Sequence, residues 1–171
     1  MNKISDVMTP SPNVASKEFT EFQRFNSRWM WTIIGGLIIS GTLPIIGAMA
    51  PGFPPEMIPV IILISLFPVC IAVVIGTGYL KTTINSSGIF VEMKILIKFK
   101  KHFLWSEIES IAVDRYKPIK EFGGWGIRMG RNSIAYSTSG NEGLILKLNS
   151  SKKVVIGTKR STDLHAYLFK F

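Results

Sequence analysis

Few side chains in this 171-residue chain have the type and spacing that chemistry requires. The densest group is Lys94, Lys98, Lys100 and Lys101. Ammonium groups so close in sequence attract anions, and the chemistry they suit is contact with the anionic headgroups of membrane lipids. They equally suit a solvated strand face, because cytoplasmic segments of membrane proteins are rich in Lys and Arg. Nucleic acid is not the expected partner, since no reader motif accompanies the charge.

The remaining candidates are weaker. His102 and His165 have no cysteine or paired carboxylates beside them, which metal ligation or acid–base work would need. Cys70 is the only cysteine and lies in an apolar run, so it reads as a small packing residue with no disulfide partner. The stretch from Gly124 to Gly130 lacks the glycine spacing of a nucleotide loop. Its glycines predict a sharp bend or a close strand crossing instead. No serine stands in a Gly-x-Ser-x-Gly context. The sequence thus predicts no catalytic residue, metal or cofactor, and a non-enzymatic role.

The elements that must carry these residues begin with an apolar excess: 47% of residues are hydrophobic, 18% are charged, and the mean hydropathy is +0.30. Neither Trp29 to Pro55 nor Met57 to Leu80 contains Lys, Arg, Asp or Glu. A membrane-crossing helix needs roughly 20 apolar residues. Residues 30–50 and 57–80 meet that length as a hairpin, and core helices of soluble proteins would keep a polar stripe that these lack. A signal peptide fits poorly, because the apolar run starts only at Trp29. The expected divisions are a cytoplasmic tail over 1–28, the hairpin over 29–80, and a cytoplasmic domain over 81–171.

In the tail, the first dozen residues are expected to lack fixed structure. The spacing of Phe19, Phe22 and Phe25 predicts a short helix along the membrane surface. Trp29 and Trp31 mark the entry of the first span, and Tyr79 the exit of the second. The connection from Pro51 to Pro59 has no Lys or Arg, whereas both flanks are basic, which predicts that both termini are cytoplasmic at the inner (plasma) membrane. Pro44 and Pro68 predict kinks. Gly36 with Ser40, and Ala72 with Gly76, have the small-residue spacing of close helix packing, within the hairpin or against another membrane protein or a second copy. Neither span carries an ionisable group of the kind that marks a transport path.

From Lys81 the period becomes two. Residues 82–84, a long run from Ile89 to Trp105, 144–148 and 154–156 read as antiparallel strands joined by hairpin turns. In the long run Ile95, Ile97 and Phe99 alternate with Lys94, Lys98 and Lys100. Leu164, Tyr167, Leu168 and Phe171 form the apolar stripe of a final helix, with Ser161 or Thr162 as its cap. This segment carries sixteen Lys and Arg against seven Asp and Glu.

Gly123-Gly-Trp-Gly-Ile-Arg128, Tyr136, Gly143 to Leu148, and Val155 to Arg160 leading into Leu164 resemble bacterial pleckstrin-homology-like domains of small membrane-anchored proteins. The resemblance covers roughly residues 81–171. It implies a bent, seven-stranded antiparallel roll capped by the terminal helix, and no catalytic residues. Relatives in eukaryotes often bind phosphoinositides, which is fold-level analogy alone. The expected fold is a membrane α-helical hairpin plus a mainly-β, PH-like roll capped by a C-terminal helix. The expected role is a membrane-anchored binding or scaffolding module, with an accessory or regulatory subunit of a larger membrane transporter or enzyme as the alternative.

Overall fold

The chain separates into two units in the computed structural model, which describes residues 18–25 and 28–169. One unit is Phe25–Gly78, and the other is Tyr79–Phe171 together with the segment that ends at Arg24. The first dozen residues, the Trp29 side chain and Phe171 lie outside what is described.

Without charges to break them, the apolar runs form two helices, α1 (Arg28–Ala48) and α2 (Ile58–Thr77), joined through a 3-10 turn at Pro55–Met57. Pro44 and Pro68 lie inside them. Both are long and apolar enough to cross a membrane, with mean hydropathy 1.7 over Met30–Ala48 and 3.0 over Pro55–Thr77. Only 11% of either stretch is buried, and side chains such as Leu63 (71% exposed) and Phe67 (70%) point away from the protein. Core helices of a soluble fold would be covered.

The second helix stops at Thr77 instead of Leu80, because Gly78 is extended (φ −66°, ψ 143°) and Tyr79 opens a strand. A Cβ on Gly78 would sit 2.8 Å from the Phe25 ring, so a larger residue there would have to displace that ring. Tyr79 therefore does not mark a helix exit.

Among the described residues, the other unit has nine strands. β1 (Phe19–Arg24), β2 (Tyr79–Asn85), β3 (Gly88–Lys94) and β4 (Lys98–Leu104) form one antiparallel sheet in that order. β5 (Ile108–Arg115), β6 (Gly126–Gly130), β7 (Ser133–Ser137), β8 (Glu142–Leu148) and β9 (Lys153–Gly157) form a second, in the order β5-β8-β9-β7-β6. α3 (Pro118–Phe122) precedes β6, and α4 (Ser161–Phe169) ends the unit. These nine strands exceed the seven that the family resemblance implies. β7 and β9 run parallel, so the antiparallel meander expected from the turns is interrupted there. The run from Ile89 to Trp105 is two strands, parted by a turn at Ile95-Leu96-Ile97.

The largest departure from expectation is β1. Residues 19–24 are an edge strand, not a surface helix, and they join the domain instead of the tail. Phe19, Glu21 and Gln23 face inward and are buried; Thr20, Phe22 and Arg24 face outward. Two inward positions are polar, so no apolar alternation is visible in the sequence, and the phenylalanine spacing suggests a helix instead. Burial of these groups is tolerable only because each has partners. The Glu21 carboxylate accepts from Thr158 Oγ1 at 2.6 Å and from the Lys159 N–H at 2.8 Å. The Gln23 amide donates to Gly157 O at 2.7 Å and accepts from Thr138 Oγ1 at 3.1 Å. All four contacts reach residues between β7 and α4.

Inside the unit, Leu80, Ile84, Ile89, Met93, Leu144 and Leu146 are fully buried. The five-stranded sheet is covered on both faces, since Val155 packs with Tyr116, Phe122 and Ala135 while its neighbours Val154 and Ile156 are buried as well. That is why residues 154–156 read as an unbroken apolar run. α4 buries Leu164 and Leu168 at 2% exposure each against the side of β5 and β8, as its apolar stripe predicts.

Tyr79–Phe171 cannot complete its first sheet without β1. A chain in which residues 25–78 are replaced by a two-residue Asn-Gly turn joins Arg24 to its register partner Tyr79 as an ordinary hairpin. This chain is expected to give a cooperative thermal transition, whereas residues 81–171 alone should give none by circular dichroism.

Candidate functional site

The lysines singled out by the sequence lie on the β3–β4 hairpin, where the register pairs Lys94 with Lys98, Glu92 with Lys100 and Val91 with Lys101. Side chains alternate between faces along a strand, so Lys94, Lys98 and Lys100 share the outer face with Glu92, and Lys101 points to the other side. β4 is the edge strand, and Lys98 to Lys101 are all exposed. The expected alternation with Ile95, Ile97 and Phe99 does not hold as one strand, because the turn intervenes. Ile95 is half-buried, with its Cδ1 3.7 Å from where a Gly126 Cβ would lie, while Leu96 (73% exposed), Ile97 (65%) and Phe99 (52%) project into the surroundings.

The outer face has an internal charge balance. Glu92 lies 3.4 Å from Lys98 Nζ and 3.6 Å from Lys100 Nζ, and it accepts a hydrogen bond of 2.6 Å from the Tyr79 hydroxyl. That hydroxyl, followed by the Lys98 ammonium, holds the Glu92 carboxyl below the ordinary carboxylate range. The same bond pushes the Tyr79 phenol up, and Tyr79 and Glu92 push the Lys98 ammonium up. One acid thus offsets part of the lysine charge and leaves the group positive.

Aromatic rings share this face with Lys81, Thr20 and Thr83. Phe22 stacks on Tyr79 with centroids 5.2 Å apart, and Phe90 stacks on His102 at 3.8 Å. Sequence reasoning missed Phe22 and Tyr79 as site neighbours, because only the β1–β2 register brings them together. Arg24, Tyr79, Lys94 and Lys98 stand in register at one end of the sheet. From Tyr79 to Lys98 is two strand spacings, about 10 Å.

The glycines near Trp125 serve the fold. Gly123 (φ 70°) ends α3 in the left-handed conformation, and Gly126 (φ 110°) begins β6. The Trp125 indole donates to Gly140 O at 2.8 Å. An open recess of about 430 Å³ between Glu18–Thr20 and α4 is crossed by the Arg160–Asp163 ion pair at 2.8 Å. Among the described residues no three His, Cys, Asp or Glu side chains converge as a metal site.

In the helical unit the small residues divide. Ala72 is buried, but Gly36, Ser40 and Gly76 are exposed, and a Cβ on either of these glycines would meet nothing within 4 Å. The close approach is at Gly41, where a Cβ would lie 2.8 Å from Ser65 O and 3.2 Å from Pro68 Cγ. Buried Ile34 and Gly41, and buried Ser65 and Ala72, each stand two turns apart. That seven-residue spacing was the available sequence signal for the seam.

Comparison with protein-family models and with curated proteins finds no match to this chain.

The Tyr79–Glu92 bond makes a pH prediction. A carboxyl with a depressed pKa contributes stability that is present above its unfolded value and lost as the pH falls through its folded value. In the labelled protein, carbon NMR should place the Glu92 titration below 4.5, and Tyr79→Phe should move it back up toward 4.5.

Proposed function

We propose that this chain is a membrane-anchored binding or scaffolding module, in which the two apolar helices cross the inner (plasma) membrane and hold a basic β-domain at its cytoplasmic face. One observation carries the reading: the helical pair is inserted between two hydrogen-bonded neighbours, β1 and β2. The chain leaves the domain at Arg24 and re-enters it at Tyr79, side by side. Two crossings satisfy that constraint and one cannot. The exposed apolar surface of α1 and α2 supports a lipid environment, because soluble monomers rarely expose patches beyond a few hundred Å². The absence of Lys and Arg between the helices supports cytoplasmic placement of both flanks. The PH-like affinity read from Gly123 to Arg128 and its companion segments stays part of this proposal, supported by a mainly-β domain that ends in a docked helix. Membrane lipids are the first partner, and the role is binding, not catalysis.

Gly36, Ser40 and Gly76 favour a second reading, an accessory or regulatory subunit of a larger membrane transporter or enzyme. The two glycines have open space above them and Ser40 is exposed, while the internal seam uses Gly41. Another membrane protein, or a second copy, would approach there.

Orientation is tested with single cysteines in a Cys70→Ser background. An impermeant thiol reagent on intact cells should label Gly52→Cys, and should reach Ser150→Cys only after permeabilisation. The reverse pattern would invert the orientation, and labelling of both in intact cells would abolish the crossing. The second reading is tested by purification in mild detergent. Gly36→Leu should strip away a subunit partner and leave the monomer's thermal midpoint unchanged, whereas Gly41→Leu should lower that midpoint.

A further inference from the structure

We propose that the β3–β4 turn is a lipid-binding element, with Leu96, Ile97 and Phe99 entering the acyl boundary of the bilayer and the flanking lysines binding anionic headgroups. This inference rests on the membrane-anchored reading and adds a defined site to it.

Three features of the hairpin converge here. The turn exposes Leu96 and Ile97 (73% and 65%), and Phe99 (52%) follows at the start of β4, so three large apolar side chains project near one end of the hairpin. Lys94, Lys98, Lys100 and Lys101 surround them on both faces of that hairpin, and Glu92 offsets one charge. Apolar tips ringed by ammonium groups match the bilayer interface, where rings and chains sit below the phosphates and long basic side chains reach up to them. Water alone gives no reason to expose leucine and isoleucine together at a turn, a position usually held by Gly, Asn, Asp or Ser.

The third observation is register. The Lys94–Lys98 end of the hairpin is aligned with Tyr79 and Arg24, the residues at which the chain passes into the helices. Gly78 is the single residue between α2 and β2. Chain connection therefore ties this end of the sheet, and not the Ser86-Ser87 end, to the membrane segments. The tether gives the tip a high effective concentration at the bilayer, so that a few apolar side chains suffice for binding. Phe22 and Tyr79, stacked at the same end, present rings of the kind that favour the interface.

The test uses the full chain with Cys70→Ser, reconstituted in nanodiscs of neutral lipid or of neutral lipid mixed with phosphatidylglycerol. An environment-sensitive fluorophore is attached at Leu96→Cys, at Ser86→Cys on the opposite end of the sheet, or at Leu63→Cys in α2. The Leu96 probe is expected to emit to the blue of the Ser86 probe, to be quenched by spin-labelled acyl chains, and to resist aqueous iodide. Phosphatidylglycerol should strengthen these effects, and Lys94, Lys98, Lys100 and Lys101 changed together to Gln should remove its influence. If the Leu63 probe is in lipid while the Leu96 probe is quenched by iodide as fully as the Ser86 probe, the turn is solvated and this inference alone is overturned. Resistance to iodide without acyl-chain quenching would assign the turn to a protein contact and overturn it equally. A Leu63 probe outside lipid would instead overturn the membrane-anchored reading beneath it.

Discussion

The pairing of β1 with β2 governs the rest of this protein. Six register pairs, from Phe19 with Ile84 to Arg24 with Tyr79, join strands separated in sequence by both apolar helices. Closing so long a loop carries an entropic cost that grows only slowly with length, and local contacts could not repay it in β1 alone. The buried side chains of Glu21 and Gln23 supply what is needed by reaching Thr138, Gly157, Thr158 and Lys159. Hydrogen bonds to a charged group contribute about 1.5 to 3 kcal/mol each, and their removal leaves a buried polar group unsatisfied. The strand is thus specified by polar contacts more than by apolar ones, and it makes the helical pair an insertion in a sheet.

From that constraint follows the character of the outer sheet face. Because β1 lies beside β2, Phe22 covers Tyr79, and Tyr79 in turn reaches Glu92 across the next strand. Glu92 is the hub of the face: it holds one hydroxyl and two ammonium groups and keeps Lys98 and Lys100 from repelling each other freely. Such exposed pairs are worth little to stability, since solvent screens them. Their effect is on placement, keeping the lysines on the flank of the hairpin while its apolar tip stays clear.

The helices show the complementary economy. Their contact is made at a few positions, with Gly41 against the Ser65 backbone as the closest, and nearly all other apolar surface is left outward. Lipid tails are as apolar as leucine, so helix association in that solvent depends on close packing and not on burying apolar area. One tight seam and a broad uncovered surface are what a lipid solvent would permit.

The amino-acid sequence by itself determined the elements whose physics is local. Charge-free length marks α1 and α2, the period of two marks β2, β3 and β8, and the stripe of Leu164 and Leu168 marks a docked α4. It also located the lysine cluster. Only the tertiary structure decided what depends on partners distant in sequence. β1 was hidden because two of its three buried positions, Glu21 and Gln23, are polar and are satisfied by residues 115 to 138 positions away. The break at residues 95–97 was hidden because a turn made of Ile, Leu and Ile has none of the residues that usually signal one. The parallel pairing of β7 with β9, the Gly41 seam and the division of the lysines between two faces are likewise matters of register and close approach. A residue's type sets what it can bind, but the pairing of strands and helices sets which atoms are there to be bound.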